Sequence, residues 1–400
     1  MNVNIQRKID QRLGDLICRV LSLFYRRGEK ETVLKKPERI LIILLSEMGS
    51  LVLAHPMFQR IRGKYPLASV YVLLFEKNRE ILDLLEVIQP GNIMTINDKS
   101  MLQFVGDSIG VLIKMRKLKF DAVIDCELFA RISSIFSFFT GASIRVGFHR
   151  YTMEGLYRGD FINRPVLYNP YHGIPDQFIG LVDAIDSDSF PRNKFLIESG
   201  KKKAPKARIG DTEILEMKKR IYTDYYYIQG KKLVLLYPSG GILPIRAWPP
   251  VYFCNLAEGL IGQGYAIGII GLKEDKELAR MILSHCGTSS CIDLTGYTKS
   301  IRELIVLFNI ASLLITNDGG PGQFAALTPI KTILFYGPET PALYGPLGDG
   351  AHIFYRAISC SPCLTAYNHR NSPCDGDNVC LKSIHPEEVL EKALSILSER

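Results

Sequence analysis

The stretch SLLITNDGGPGQFAA, residues 312–326, decides the fold. Its apolar run Ser312-Leu313-Leu314-Ile315 reads as a buried strand, and the small apolar residues after Gln323 read as the start of a helix. Between them, positions 317–322 hold an acid, three glycines and a proline. A chain that leaves a buried strand through so much bare backbone leaves room for something to lie directly on that backbone. Amides at a helix N-terminus with no side chains in the way form an anion site, so the natural occupant is a phosphate. For any single glycine loop the plainer reading is a tight turn.

The same strand-then-loop unit recurs outward from that point. KLVLLYPSGG (232–241) is a strand with a small-residue loop, and YAIGIIG (265–271) is the next strand, followed by a helix at 273–285. After CIDLTG comes a helix near 300–310, KTILFYG (331–337) is a further strand, and an amphipathic helix closes the chain at about 385–399. Toward the N-terminus, RILIILL (39–45) ends in the loop SEMGS (46–50), and SVYVLLF (69–75) precedes a helical pattern at 77–87. FDAVIDC (120–126), a helical LFARISSIFSFF and IRVGF (144–148) complete that series; YNPYHGIPDQF then leads into a helix at 176–187. Near-continuous apolar strands separated by helices predict parallel sheets covered on both faces. The basic, apolar-poor ESGKKKAPKARIG (198–210) reads as an interdomain linker.

The expected organisation is a basic helical extension (1–36), a Rossmann-like domain (37–200), a second one (201–384) with a cysteine-rich loop at 360–380, and a C-terminal helix (385–400). Two doubly wound α/β halves facing a cleft take ligands at their strand C-termini.

Bulk properties agree. A chain of 400 residues with 47% hydrophobic and 22% charged residues fits two or three globular domains. No apolar run approaches the roughly 18–20 residues of a membrane span, and no leader-like segment stands out, so a cytoplasmic location is expected. The net charge of +8 is mild and favours acidic partners such as phosphates or anionic lipid. No nucleic-acid-binding module is present. Residues 5–24 carry Ile5, Ile9, Leu13, Leu16, Ile17, Val20, Leu21 and Phe24 at helical spacing, with Arg7, Lys8, Arg12, Arg19, Arg26 and Arg27 around them. Such a helix packs on the body of the protein, joins an oligomer, or lies on an anionic membrane surface. The absence of GxGxxG and of GxxxxGK[ST] speaks against a dinucleotide oxidoreductase and a P-loop kinase.

The segment from DLTGYTKSIRELIVLFNIASLLITNDGGPGQFAALTPIKTILFYGPETP resembles the C-terminal signature of the bacterial heptosyltransferase-like glycosyltransferases, family 9. PSGGILPIRAWPP, GIIGLKED, RILIILLSEMGSLVLAHPMFQRIRGKYP, FDAVIDCELFARIS and RVGF follow the family's other segments, so the resemblance spans about 39 to 385. It implies a GT-B fold, an inverting transfer from a nucleotide-diphosphate sugar (ADP-heptose in the best-known members), and a lipopolysaccharide-core or related glycolipid acceptor. It implies no cofactor beyond that donor, and a location peripheral on the inner membrane, which the basic stretch 1–30 would hold. Asp318, Gly319, Gly320 and Pro321 match the motif that holds the donor diphosphate; Ser239 and Gly240 match the small-residue phosphate loop; Glu274 matches an acid at the donor ribose. Trp248 matches the family tryptophan, against the reading of a core aromatic. Arg246 stands where the family has a lysine that stabilises the leaving diphosphate, and a guanidinium suits that task.

Two positions depart from the pattern. Gln323 stands where the family has a histidine; it can hydrogen-bond a phosphate but carries no charge. The family's opening loop reads Met-Gly-Asp, with that aspartate as the general base, whereas here it reads Met48-Gly49-Ser50. A serine hydroxyl is a poor base and a natural helix N-cap. Glu47 in the same loop is the replacement candidate, with Asp125 and Glu127 as further acids on the acceptor side. The loss of both family residues leaves a second reading, a donor-binding scaffold or regulator of envelope glycan assembly without turnover.

Of nine cysteines, Cys360, Cys363, Cys374 and Cys380 form a C-x2-C-x10-C-x5-C cluster. That spacing fits a structural metal such as zinc, with disulfides or free thiols as alternatives and His369 as an additional ligand candidate.

Overall fold

The computed structural model describes residues 9–25, 36–45, 47–128, 130–149, 157–197, 202–365 and 370–399. The readings that fall on residues 1–8, 26–35, 198–201, Ser46 and His369 lie outside them. The chain divides into two compact units, Met1–Gly200 and Lys201–Arg400.

In the first unit β1 (Arg39–Ile43), β2 (Ser69–Phe75), β3 (Ile93–Ile96), β4 (Ala122–Asp125), β5 (Ile144–Phe148) and β6 (Arg164–Val166) form one sheet in the order β3-β2-β1-β4-β5-β6. Every pairing is parallel. The order of winding reverses between β1 and β4, which is where a doubly wound sheet opens a ligand crevice. The central strands are buried nearly end to end, as their unbroken apolar runs require.

The helices of this unit are α1 (Asp15–Phe24, entered through a π-helical turn at Asp10–Gly14), α2 (Met48–Leu53), α3 (His55–Lys64), α4 (Arg79–Leu85), α5 (Met101–Leu118), α6 (Arg131–Thr140) and α7 (Ile174–Asp183). Val111 and Met115 of α5 and Phe136 of α6 close over Leu41, Leu73 and Val123 of the sheet.

The N-terminal segment packs on the body by the face its apolar spacing does not mark. The Asp10 carboxylate accepts the backbone N–H of Arg131 (3.0 Å) and Ile132 (2.9 Å), capping α6 from outside. Gly14 allows that approach, since a Cβ there would lie 2.8 Å from Arg131 Cβ. Cys18 is fully buried, and Ser22 Oγ accepts from Tyr157 Oη (2.7 Å) and Asp160 N (2.9 Å). Of the described apolar set, Leu21 alone is half-buried; Ile9, Leu13, Leu16, Ile17, Val20 and Phe24 face solvent. The packing reading of this helix therefore holds on one face, while its opposite face presents apolar side chains to solvent.

In the second unit β7 (Leu233–Tyr237), β8 (Ala266–Gly271), β9 (Cys291–Thr295), β10 (Leu313–Asn317), β11 (Lys331–Tyr336) and β12 (Ala351–Tyr355) form a second parallel sheet, order β12-β11-β10-β7-β8-β9. Its switch point lies between β7 and β10. Around it run α8 (Asp211–Asp224), α9 (Pro250–Gly262), α10 (Lys276–Cys286), α11 (Ile301–Ile310), α12 (Gly320–Ala325), α13 (Pro341–Tyr344), α14 (Val379–Lys382) and α15 (Pro386–Ser398). α15 packs on α9 and sends Val389, Ala393 and Leu397 into the core, so the last helix is part of this unit.

The stretch read as a linker is laid along this same unit. Lys202 O accepts from Gly348 N (2.9 Å), Ala207 N donates to Leu327 O (2.9 Å), and Lys206 Nζ reaches Thr328 O (2.6 Å). Helix ends also shift from expectation. The helix expected from 273 begins at Lys276, because Lys273–Asp275 forms a 3-10 turn closed by Asp275 on the Leu272 amide. The one expected at 176 begins at Ile174, with Pro175 in its first turn.

Candidate functional site

The quoted stretch folds as strand β10, loop and helix α12, at the switch point of the second unit. Its organiser is Asn317, the last residue of β10 and fully buried. Asn317 Nδ2 donates to Pro238 O (2.9 Å) and Ser239 O (3.1 Å), and its Oδ1 accepts the Trp248 amide (2.8 Å). One side chain thus sets the β7 loop, the β10 loop and the Arg246–Trp248 segment at fixed spacing. Sequence reasoning read Asn317 only as the first residue of the glycine loop; an amide side chain closely following an apolar run was the available signal.

Within that frame, Ser239 Oγ accepts the Gly241 amide (3.1 Å). A Cβ on Gly240 would meet Leu243 O at 2.8 Å and Pro244 Cα at 2.9 Å, so the following turn folds directly over it. Arg246 ends the 3-10 turn Pro244–Arg246 and puts Nη1 3.4 Å from Asp318 Oδ2, while its buried Nε has no hydrogen-bond partner. Asp318 is buried, and its amide is already donated to Phe335 O (3.0 Å).

The three glycines that follow differ. Around Gly319 a Cβ would meet nothing nearer than 4.0 Å; on Gly320 it would lie 3.2 Å from the Phe324 ring; on Gly322 it would lie 2.5 Å from Leu334 Cδ2. Gly322 is thus a packing glycine turned against β11, and the open backbone that the sequence implied is at Gly319. Pro321 occupies the first turn of α12. Gln323 is buried and spends its Nε2 on Tyr344 O (2.7 Å), the same carbonyl that takes the Tyr336 hydroxyl (2.9 Å); its Oε1 has no partner. Glu274 is exposed on the turn after β8. Trp248 is a core aromatic: it is fully buried, stacks on Phe335 with ring centroids 4.4 Å apart, and donates its indole N–H to Ile384 O (2.9 Å).

In the first unit, the loop after β1 is clamped at Leu45. Its amide is accepted by Glu127 Oε1 (2.8 Å) and its carbonyl accepts from Asn78 Nδ2 (2.7 Å). Glu47 then stands at the N-cap of α2 with φ 56° and ψ 108°. Ser50, expected as the cap, is instead the third residue of α2, its amide donated to Glu47 O (3.1 Å). The helix therefore starts three residues earlier than expected, with Glu47 in place of Ser50 at its N-cap.

The two further acids are structural. Asp125 is fully buried, ion-paired with Arg158, and accepts from Ser133 Oγ (3.0 Å) and the Glu127 amide (3.1 Å). Burial pushes its carboxyl up to about 6, against the downward pull of Arg158. Arg158 goes on to donate to Glu127 O (2.6 Å) and Phe148 O (3.1 Å), so this pair braces the loop after β4.

The metal site expected from the sequence falls on the cysteine-rich loop, of which residues 366–369 lie outside the described residues. Among the described residues no three His, Cys, Asp or Glu side chains come together to hold a metal ion, and Cys360, Cys363, Cys374 and Cys380 are all free thiols. Cys363 Sγ accepts from Ser372 Oγ (3.1 Å), Cys374 Sγ faces the side-chain oxygens of Asp375 (3.8 Å) and Asn378 (3.7 Å), and Cys380 is buried against Gly337.

Comparison with known proteins gives a consistent picture. The chain is 26% identical to lipopolysaccharide heptosyltransferase 2 of Salmonella typhimurium over 182 residues, 44% of this chain and half of that protein. It is 24% identical to lipooligosaccharide heptosyltransferase 2 of Haemophilus ducreyi over 320 residues, 79% of this chain and 88% of that one. Among solved structures, the ADP-heptose lipopolysaccharide heptosyltransferase II of E. coli superposes with a TM-score of 0.70 at 19% identity, covering 90% of this chain and 99% of its own. A family 9 glycosyltransferase from Veillonella parvula gives 0.71 at 19%, covering 91% and 98%. The fold is therefore GT-B, with two Rossmann-like sheets. The model of glycosyltransferase family 9 (heptosyltransferase) matches residues 111–372, well over half of the chain, and the chain belongs to that family.

Proposed function

We propose that the protein is an inverting glycosyltransferase that moves a heptose or similar sugar from an ADP-sugar to a lipopolysaccharide-core or related glycolipid acceptor. The observation that carries this reading is the switch point of the second unit. There an Arg246 guanidinium, aimed by Asp318, lies among the Asn317-tied loops beside the open backbone of Gly319. Asp318 itself suits phosphate poorly, since its amide is spent and its carboxylate is negative; its work is to orient Arg246. Arg246 then stabilises the diphosphate as it leaves, with the Ser239–Gly240 loop and the Gly319–Gly320 amides along its oxygens. Glu274 is left open toward the donor ribose.

In the transfer the acceptor hydroxyl oxygen bonds to the anomeric carbon, the carbon–oxygen bond to the diphosphate breaks, and the hydroxyl proton passes to a base. Glu47 is the best candidate for that base. It is held at the switch point of the first unit in backbone that a residue with a Cβ enters only under strain, and such strain collects at functional loops. The outward apolar face of the N-terminal helix, with Arg12 beside it, would hold the enzyme peripherally on the cytoplasmic face of the inner membrane, where such an acceptor resides.

Calorimetric titration with ADP, UDP, GDP and CMP tests the donor site. Selective binding of ADP, lost in Arg246→Ala, is the expected result; no binding of any of the four overturns it. Removal of residues 1–36 should release the protein from anionic vesicles, and unchanged binding would refute the membrane role.

A further inference from the structure

We infer that α5 joins the N-terminal helix in one docking face, and that the occupant of this face is an anionic phospholipid bilayer. The inference extends the membrane reading above and rests on it. A helix on the surface of a globular protein normally buries its apolar stripe and turns polar residues outward. α5 buries Val111 and Met115 yet also presents Leu102, Val105, Ile109 and Ile113, spaced three, four and four residues apart, on its opposite side. These outward side chains are open to solvent, Leu102 at 87% and Ile109 at 55%. The N-terminal segment repeats the arrangement: Cys18 is turned in, and Leu13, Leu16, Val20 and Leu23 are turned out, Leu23 at 83%.

The two helices share a neighbour. α6 packs against α5 and also against the segment running from the Asp10–Gly14 turn through α1. Both helices that carry outward apolar side chains therefore rest on the same buried helix.

Charge chooses the occupant. Lys114, Arg116 and Lys117 are exposed on the last turns of α5, and Arg12 is exposed beside the N-terminal stripe. The acids of these helices are spent locally. Asp107 accepts the Asn97 amide (2.9 Å), Asp15 pairs with Arg19 (2.8 Å), and Asp10 caps α6. A second copy seated on this face would set two cationic rims against each other. An anionic bilayer accepts the apolar side chains into its acyl boundary and the lysines and arginines among its phosphates.

The test is co-sedimentation of the full chain with vesicles of phosphatidylglycerol and phosphatidylcholine, and with phosphatidylcholine alone. Wild type should partition at least tenfold more strongly onto the anionic vesicles, and less so as salt is raised. Ile109→Ser with Ile113→Ser should lower that partition at least tenfold with an unchanged thermal melt, because these side chains leave no cavity. Leu16→Ser with Val20→Ser reports separately on the N-terminal helix. If only the N-terminal pair weakens binding, α5 is outside the face and this inference fails while the earlier reading stands. If wild type binds neither vesicle, both fail. If it instead forms a dimer that the α5 variant dissociates in sedimentation velocity, the occupant is a second copy and the bilayer assignment is overturned.

Discussion

Glu47 combines an ionisable side chain with a strained backbone. Its φ of 56° costs on the order of 1–3 kcal/mol for a residue with a Cβ. Glu47→Gly should therefore raise stability by about 1 kcal/mol in urea denaturation, since glycine is at ease there. Glu47→Gln keeps the strain and should leave stability nearly unchanged. Both should cut initial transfer rates by roughly 100-fold or more if the carboxylate takes the acceptor proton; full turnover in the glutamine variant would leave the strain as mere loop closure. Asp125 predicts the opposite pattern. Asp125→Ala strands a buried Arg158 guanidinium and should cost about 3–5 kcal/mol, while transfer per folded molecule persists. From sequence, Glu47 was the replacement base candidate by its place in the opening loop, and Asp125 and Glu127 were further candidate acids after a strand. What separates them is Arg158, 33 residues beyond Asp125, and a clamp on Leu45 that Glu127 makes across 82 residues.

Among the elements, the strands legible in sequence were β1, β2, β4, β5, β7, β8, β10 and β11, which are the four central strands of each sheet. The unread ones, β3, β6, β9 and β12, are the sheet edges. Their sequences IMTI, RPV, CIDLT and AHIFY are short or broken by polar residues, and an edge, paired on one side only, does not need an unbroken apolar run. The glycine loop makes a sharper prediction. Gly322→Ala should destabilise by about 1–3 kcal/mol through its clash with Leu334, whereas Gly319→Ala should melt like wild type. Lost ADP binding in Gly319→Ala, measured by calorimetry, would then report on ligand space alone.

At the start of α8, Glu213 accepts the Gly210 amide (3.0 Å) and both prongs of Arg302 (2.7 Å each). The Arg302 guanidinium first, then that amide, hold its carboxyl down at about 2. A depressed pKa gives stability that is complete above the ordinary 4.5 and is lost as pH falls toward 2. With both side chains partly in solvent, Glu213→Gln should cost about 1 kcal/mol at pH 7 by thermal melt, a difference that closes as the pH approaches 2.

For the molecule as a whole, each unit has its own core: Leu41, Val123 and Phe136 in the first, Leu236, Trp248 and Phe335 in the second. Residues 202–400 expressed alone should fold cooperatively and bind ADP as the full chain does; failure to fold would mean the second core is insufficient by itself.

The sequence by itself determined the alternation of apolar strands with helices, its repetition in two halves, and the position of the glycine loops at strand ends. Those features are local, because run length and glycine or proline punctuation act within a few residues. Tertiary structure alone decided which carboxylates are spent in the core and which face of the N-terminal helix is turned outward. It also assigned Asn317 its bridging role. Each of these depends on groups distant in the chain: Trp248 for Asn317 across 69 residues, and Tyr157 for Ser22 across 135. No local pattern records such a partner, because its position is set only when the sheets are assembled and packed.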